Sequence, residues 1–142
     1  MSGKVLVIDG QGGGIGKKIV ASIKSLNPDC TLFAVGTNAQ ATSAMIKAGA
    51  DAGATGESAI CYQCGKADII VGVSGILHAN AMMGEISPRI AAAVSESEAL
   101  KVLLPLERCG LLIAGVEPLT LDELVQKAAQ LVVDSIAESR LR

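Results

Sequence analysis

The stretch Lys4-Val5-Leu6-Val7-Ile8-Asp9-Gly10-Gln11-Gly12-Gly13-Gly14-Ile15-Gly16-Lys17 decides the fold. Its first half is a short apolar run without alternation, the mark of a strand buried on both faces, as in a parallel sheet. Its second half is a cluster in which five of the seven residues 10–16 are glycine. From Gly14 onward Ile15, Ile19, Val20, Ile23 and Leu26 recur at helical spacing, until Asn27-Pro28-Asp29 stops the helix. A strand, a glycine turn and a helix in that order provide the setting for a phosphate-binding loop. There the free N–H groups of the helix start face an anion, and glycine lets the backbone approach it.

Outward from this unit the chain keeps alternating. Thr31–Val35 reads as a second buried strand ending at Gly36-Thr37-Asn38, and about 39–48 as an alanine-rich helix closed by Gly49. Residues 50–58 (ADAGATGES), small and glycine-rich, read as a loop. A third strand is expected over Ala67–Val73. Ser87-Pro88 supplies a cap and a first-turn proline for a helix to about Ser95. Lys101–Leu106 is expected as a fourth strand. Leu111–Val116 is expected as a fifth, pairing antiparallel with it, because Glu107–Gly110 is too short for a crossover. Thr120-Leu121-Asp122-Glu123 is a capping box opening a last helix, whose stripe runs through Leu124, Val125, Ala128, Leu131, Val132 and Ile136 and which Arg140 and Arg142 close.

The expectation is one Rossmann-like α/β domain over residues 1–142: three layers around a mostly parallel sheet of about five strands, with an antiparallel edge strand.

Composition excludes several classes. The net charge is −2, and no basic cluster is denser than Lys17-Lys18, so the footprint that nucleic acid requires is missing. No apolar run approaches the roughly 18 residues of a membrane span, and the chain start leads straight into a strand instead of a signal peptide. A cytoplasmic protein is expected. Half of the residues are hydrophobic, 18% are charged, and the aromatics are Phe33 and Tyr62 alone. Mean hydropathy is +0.48. So little polar material leaves apolar surface uncovered, and a homo-oligomer is expected.

Template matching narrows the loop. The Walker pattern would need its first glycine at Gln11 and a hydroxyl at Lys18, and the G-x-G-x-x-G fingerprint fails in every register. G-x-x-x-G-x-G fits with Gly10, Gly14 and Gly16, and this resembles the cofactor loop of the short-chain dehydrogenases. Their pattern is not completed elsewhere. The end of the second strand reads Gly36-Thr37-Asn38, with neither an acid for a ribose diol nor an arginine for a 2′-phosphate, so neither NAD nor NADP is specified. Tyr62 and Lys66 have the Tyr-x-x-x-Lys spacing of that family but stand before the third main strand, too early for its active site.

A second resemblance spans most of the chain. Ile8–Lys17, Gly36–Ala39 with Ala41–Met45, Lys47–Ala50, Ala54–Glu57 and Ala67–Gly72 together resemble a small family of uncharacterised bacterial proteins with a Rossmann-like domain. The resemblance implies a fold and no activity.

Ligands of open parallel sheets sit beyond the carboxyl ends of the strands. The expected site is therefore Gly10, Gln11, Gly12, Gly13, Gly14, Ile15 and Gly16 around a phosphate, with Thr37, Asn38 and Ser74, and Asn80 behind them, meeting the rest of a nucleotide, dinucleotide or other small phosphorylated ligand. No catalytic residue is specified. His78, the single histidine, stands near Met82, Met83 and Glu85 as a lone acid or base. Two other readings stay open. One is a non-catalytic subunit or sensor whose glycine loop is structural. The other is a thiol or metal site at Cys61-Tyr62-Gln63-Cys64, half of a zinc site that Cys109 and His78 would have to complete.

Overall fold

Val5–Asp9 (β1) is the central strand of a five-stranded sheet, and every one of its residues is buried. The computed structural model describes residues 3–106 and 110–140, and the side chain of Arg140 is outside that description. The remaining elements are Gly14–Leu26 (α1), Leu32–Gly36 (β2), Ala39–Lys47 (α2), Ala52–Thr55 (β3), Glu57–Cys64 (α3), Ile69–Val73 (β4), a 3-10 turn Ser74–Leu77, Pro88–Glu96 (α4), Leu100–Leu104 (β5) and Leu121–Arg140 (α5).

The strand order is β3-β2-β1-β4-β5, and all four pairings are parallel. Val5 stands beside Leu32 on one side and Ile69 on the other. The unbroken apolar runs follow from burial of both faces. Val5, Val7, Leu32, Ala34, Ile69 and Val71 turn to a core closed by α1 and α5 (Ile19, Ile23, Val132, Ile136). Leu6, Ile8, Val35 and Ile70 turn to the opposite core, closed by α3 and α4 (Ile60, Cys64, Ile90, Val94).

Two expectations about the sheet are overturned. Residues 52–55, expected as loop, form β3, paired from Phe33↔Ala52 to Gly36↔Thr55. Their small side chains have low strand propensity, but at Gly53 a Cβ would stand 2.9 Å from both the Ala34 carbonyl oxygen and Ile46 Cδ1. Close approach of α2 selects small residues there, and packing overrides propensity. Residues 111–116 are not a strand, and the sheet has no antiparallel edge. Gly115 at φ +83 breaks the extended run, and the segment crosses toward α5 as coil, with Leu112 86% exposed. Helix α3, which no periodic stripe signals, was also not expected.

The caps read at Ser87 and Thr120 hold: Ser87 Oγ accepts the Ile90 N–H at 3.2 Å. Asn38 caps α2 as well, its Oδ1 accepting the Ala41 N–H at 2.9 Å. Thr120 and Glu123 form a reciprocal box at 3.1 and 3.2 Å. Glu107, Arg108, Cys109 and Arg142 lie outside the described residues. Among those described, no helix is long and apolar enough to cross a membrane.

Candidate functional site

The order 3-2-1-4-5 reverses direction between β1 and β4, and such a switch point leaves a crevice beyond the carboxyl ends of the two strands. A cleft of about 580 Å³ occupies that place, a volume within the range of ligand sites. One wall is the loop after β1 with the start of α1: Asp9, Gly10, Gln11, Gly12, Gly13, Gly14, Ile15, Lys17 and Lys18. The other is apolar: Val73, Ala81, Met82 and Met83 from the chain after β4, with Leu106, Leu111 and Leu121.

The glycines of the first wall divide by cause. Gly13 has φ +75, and a Cβ there would stand 2.8 Å from Ala41 Cα, so the fold itself demands glycine. At Gly16 a Cβ would stand 2.7 Å from Met45 Sδ and 2.8 Å from Asp9 Cβ, and at Gly10 it would meet Thr37 Oγ1 at 2.7 Å. Gly12 and Gly14 differ. Nothing lies within 4 Å of a Cβ at either position, and neither needs a left-handed backbone.

The N–H groups divide the same way. Gly13 N–H donates to the Gly10 carbonyl at 3.0 Å, and Gly16 N–H to Asp9 Oδ2 at 2.6 Å. Gln11 N–H donates to Glu85 Oε1 at 2.8 Å. The N–H groups of Gly12, Gly14 and Ile15 meet no acceptor among the described residues. For Gly14 and Ile15 the reason is general, since the first N–H groups of a helix have no partner within it. The two glycines that packing leaves unexplained thus carry two of the three free donors.

Charge around the loop is mixed. Lys17 and Lys18 line the cleft, and Lys18 pairs with Asp122 at 2.8 Å on the surface. Lys17 forms no ion pair among the described residues and also borders a shallower groove of about 490 Å³ with Gln40, Ser43 and Lys47. Asp9 is 5% exposed. Burial pushes its carboxyl above the usual range, the Gly16 and Gly10 N–H groups pull it down, and the nearby Glu85 charge pushes it up further.

Glu85 joins three segments. Its Oε1 accepts from Gln11 N, from Thr37 Oγ1 at 2.5 Å and from Asn38 Nδ2 at 3.1 Å. Those donors hold its carboxyl below the usual glutamate range, Thr37 first and Gln11 next, against a smaller opposing effect of burial. The loop that carries it is strained: Asn80, Met82 and Met83 have φ of 67, 56 and 56, a left-handed backbone costing roughly 1 kcal/mol per ordinary residue. Internal bonds hold it, Asn80 N to Ile86 O at 2.6 Å and Gly84 N to Asn80 O at 3.0 Å, with Glu85 as its anchor.

The residues singled out from sequence are therefore placed unequally. Gly10 to Ile15 line the cleft, while Gly16 lies beneath it against Asp9 and Met45. Thr37 and Asn38 are bonded to Glu85, and Asn38 caps α2 as well. Ser74 Oγ exchanges bonds with the Leu106 backbone, both at 3.2 Å, tying β4 to the chain after β5. None of these three, nor Asn80, lines the cleft. His78 does. Reading by sequence missed Glu85 as an anchor, because no spacing rule connects position 85 to positions 11 and 37. Asp9 was more legible, an acid ending a buried strand directly before the glycines.

Tyr62 is 64% exposed on α3 with Lys66 Nζ 5.5 Å from its ring centroid, away from the cleft. Cys61 and Cys64 are free thiols on the same helix. Burial pushes the Cys64 thiol up to about 11, far from a reactive thiolate. Among the described residues no group of three or more His, Cys, Asp or Glu side chains is placed to hold a metal ion.

A family model described as Domain of unknown function (DUF3842) matches residues 4–137. No curated protein matches the chain. Among solved structures the chain is similar to a dodecameric FMN-dependent UbiX-like decarboxylase from Escherichia coli O157:H7. The two are 14% identical, the match covers 94% of each chain, and the TM-score is 0.40.

Proposed function

The chain belongs to the DUF3842 family, and for this member we propose a protein that binds a small phosphorylated ligand at the switch-point cleft. The phosphate sits on the N–H groups of Gly12, Gly14 and Ile15, with the Lys17 ammonium beside it. One observation carries the reading: Gly12 and Gly14 are glycines that neither packing nor backbone conformation requires, and they present free donors to a cleft. The positive end of α1 favours an anion there. Asp9, when ionised, opposes it, and burial pushes that carboxyl above its usual range.

The protein acts as a cytoplasmic homo-oligomer. Large apolar side chains remain exposed on it, among them Leu100 at 46% and Leu131 at 57%, and the described cysteines are free thiols, as the reducing cytoplasm keeps them.

A thermal-shift series with inorganic phosphate and phosphate monoesters tests the binding reading. A ligand at about one hundred times its Kd stabilises the fold by roughly 2.7 kcal/mol. The shift is expected in the wild type and absent in Gly14→Val, at a position where a Cβ meets nothing within 4 Å. Equal shifts in both proteins would remove the loop as the site.

A further inference from the structure

Outside residues 9–18 the cleft offers one polar side chain among the described residues, His78. The rest of that wall is hydrocarbon and thioether: Met82 and Met83 from the strained loop, Leu106, Leu111 and Leu121 from the far side. Met83 is 95% exposed, on a left-handed backbone that an ordinary residue adopts only at a cost. Methionine thioethers adapt to the shape of an apolar partner, and two of them in succession give the cleft a conformable edge.

The polar groups that would greet a sugar are engaged elsewhere. Open sheets of this order hold ribose hydroxyls at the end of β2. Here Thr37 Oγ1 donates to Glu85, Asn38 Nδ2 donates to Glu85 and to the Gln11 carbonyl at 2.9 Å, and Asn38 Oδ1 receives the Ala41 N–H. Thr37, Asn38 and Glu85 all lie off the cleft lining. A ribose placed against the wall opposite the glycine loop would give up hydrogen bonds to water and, among the described residues, meet His78 as that wall's single polar side chain.

We infer that the phosphate of the ligand is carried on an apolar body, an aromatic ring system or a hydrocarbon chain, packed between Met82–Met83 and Leu106, Leu111 and Leu121, and not on a ribose. This rests on the reading of the glycine loop as the phosphate site and names the class of molecule that the site takes.

Calorimetric titration of the full-length protein with 1-naphthyl phosphate, hexyl phosphate, ribose 5-phosphate and inorganic phosphate tests it. Each buried CH₂-sized group contributes enough that naphthyl or hexyl phosphate is expected to bind more than about tenfold tighter than ribose 5-phosphate. The tighter of the two tells ring from chain. In a Met83→Ser, Leu111→Ser double variant the preference is expected to shrink toward parity; Met83 is on the surface and Leu111 is in coil, so the fold does not depend on them. Ribose 5-phosphate binding as tightly as both apolar esters, or an apolar preference that survives the double variant, overturns the inference. A preference for apolar esters that is seen equally in Gly14→Val would instead contradict the phosphate-loop reading beneath it, so the two failures are distinguishable.

Discussion

Glu85 Oε1, on the loop after β4, accepts the backbone N–H of Gln11, on the loop after β1, at 2.8 Å. One bond thus fixes the separation of the two walls of the cleft. Thr37 and Asn38 donate to the same oxygen, so the loop carrying Met82 and Met83 is held against both β1 and β2.

Loss of that anchor is expected to loosen the site more than the fold. Glu85→Ala should cost about 1 kcal/mol in urea denaturation, below the usual range for bonds to a charged group because the carboxylate is only half-buried and solvent screens it. Phosphate-ester affinity should fall as well, and Glu85→Gln, which keeps an acceptor, should restore part of it. The pH dependence has a definite sign. The folded pKa lies below the unfolded one, so the contribution of Glu85 is complete above the unfolded value of roughly 4.3 and disappears as pH falls through the folded value. The stability gap between wild type and Glu85→Ala should therefore close only in acid, which denaturation midpoints between pH 3 and 7 (about that span) would reveal.

The glycines should separate into two classes by mutation. Gly16→Ala forces a Cβ against Asp9 and Met45 and should destabilise by about 1–3 kcal/mol. Gly13→Ala adds a left-handed backbone to a clash with Ala41 and should cost at least as much. Gly12→Ala and Gly14→Ala should leave the unfolding midpoint within about 0.5 kcal/mol of wild type while weakening phosphate binding. Paired denaturation and calorimetry on the four variants check this.

Asp9→Asn should strengthen phosphate binding. An asparagine oxygen can still accept the Gly16 N–H that Oδ2 now takes at 2.6 Å, and the substitution removes the negative charge that the ionised carboxyl sets against the anion. Because the folded Asp9 pKa is raised, its contribution is complete below the unfolded value of roughly 3.9 and is lost as pH rises from there through the folded value. Asp9→Asn should accordingly be at least as stable as wild type at pH 7. Weaker phosphate binding in this variant would assign the carboxylate to ligand recognition.

Cys64 should resist alkylation. Its thiol is pushed up to about 11, so very little thiolate exists at pH 7. Peptide mapping by mass spectrometry after brief iodoacetamide treatment should find Cys61 modified and Cys64 intact. Rapid joint modification, or a Cys61–Cys64 disulfide formed under mild oxidant, would revive the thiol reading.

Most of the fold was legible because its central strands are buried on both faces and α4 and α5 open on side-chain caps. The run Val5-Leu6-Val7-Ile8, the cap at Ser87 and the Thr120–Glu123 box each state locally what the structure then uses. Illegible parts are those that tertiary packing decides. Ala52–Thr55 is a strand because α2 approaches closely over Gly53, a contact invisible to propensity. Leu111–Val116 has the composition of a strand and is coil, with Gly115 at φ +83 turning the chain. In the site, the glycine loop announced itself, whereas the roles of Thr37 and Asn38 depend on Glu85, 48 and 47 residues away.

The three free backbone donors are read directly by amide NMR. In a ¹⁵N–¹H titration of the protein with inorganic phosphate, saturable downfield shifts of the Gly12, Gly14 and Ile15 amides are expected. Gln11 and Gly16, already bonded to Glu85 and Asp9, should move little. Saturable shifts that leave those three amides unmoved, or no saturable shift at all, would contradict phosphate binding at the glycine loop.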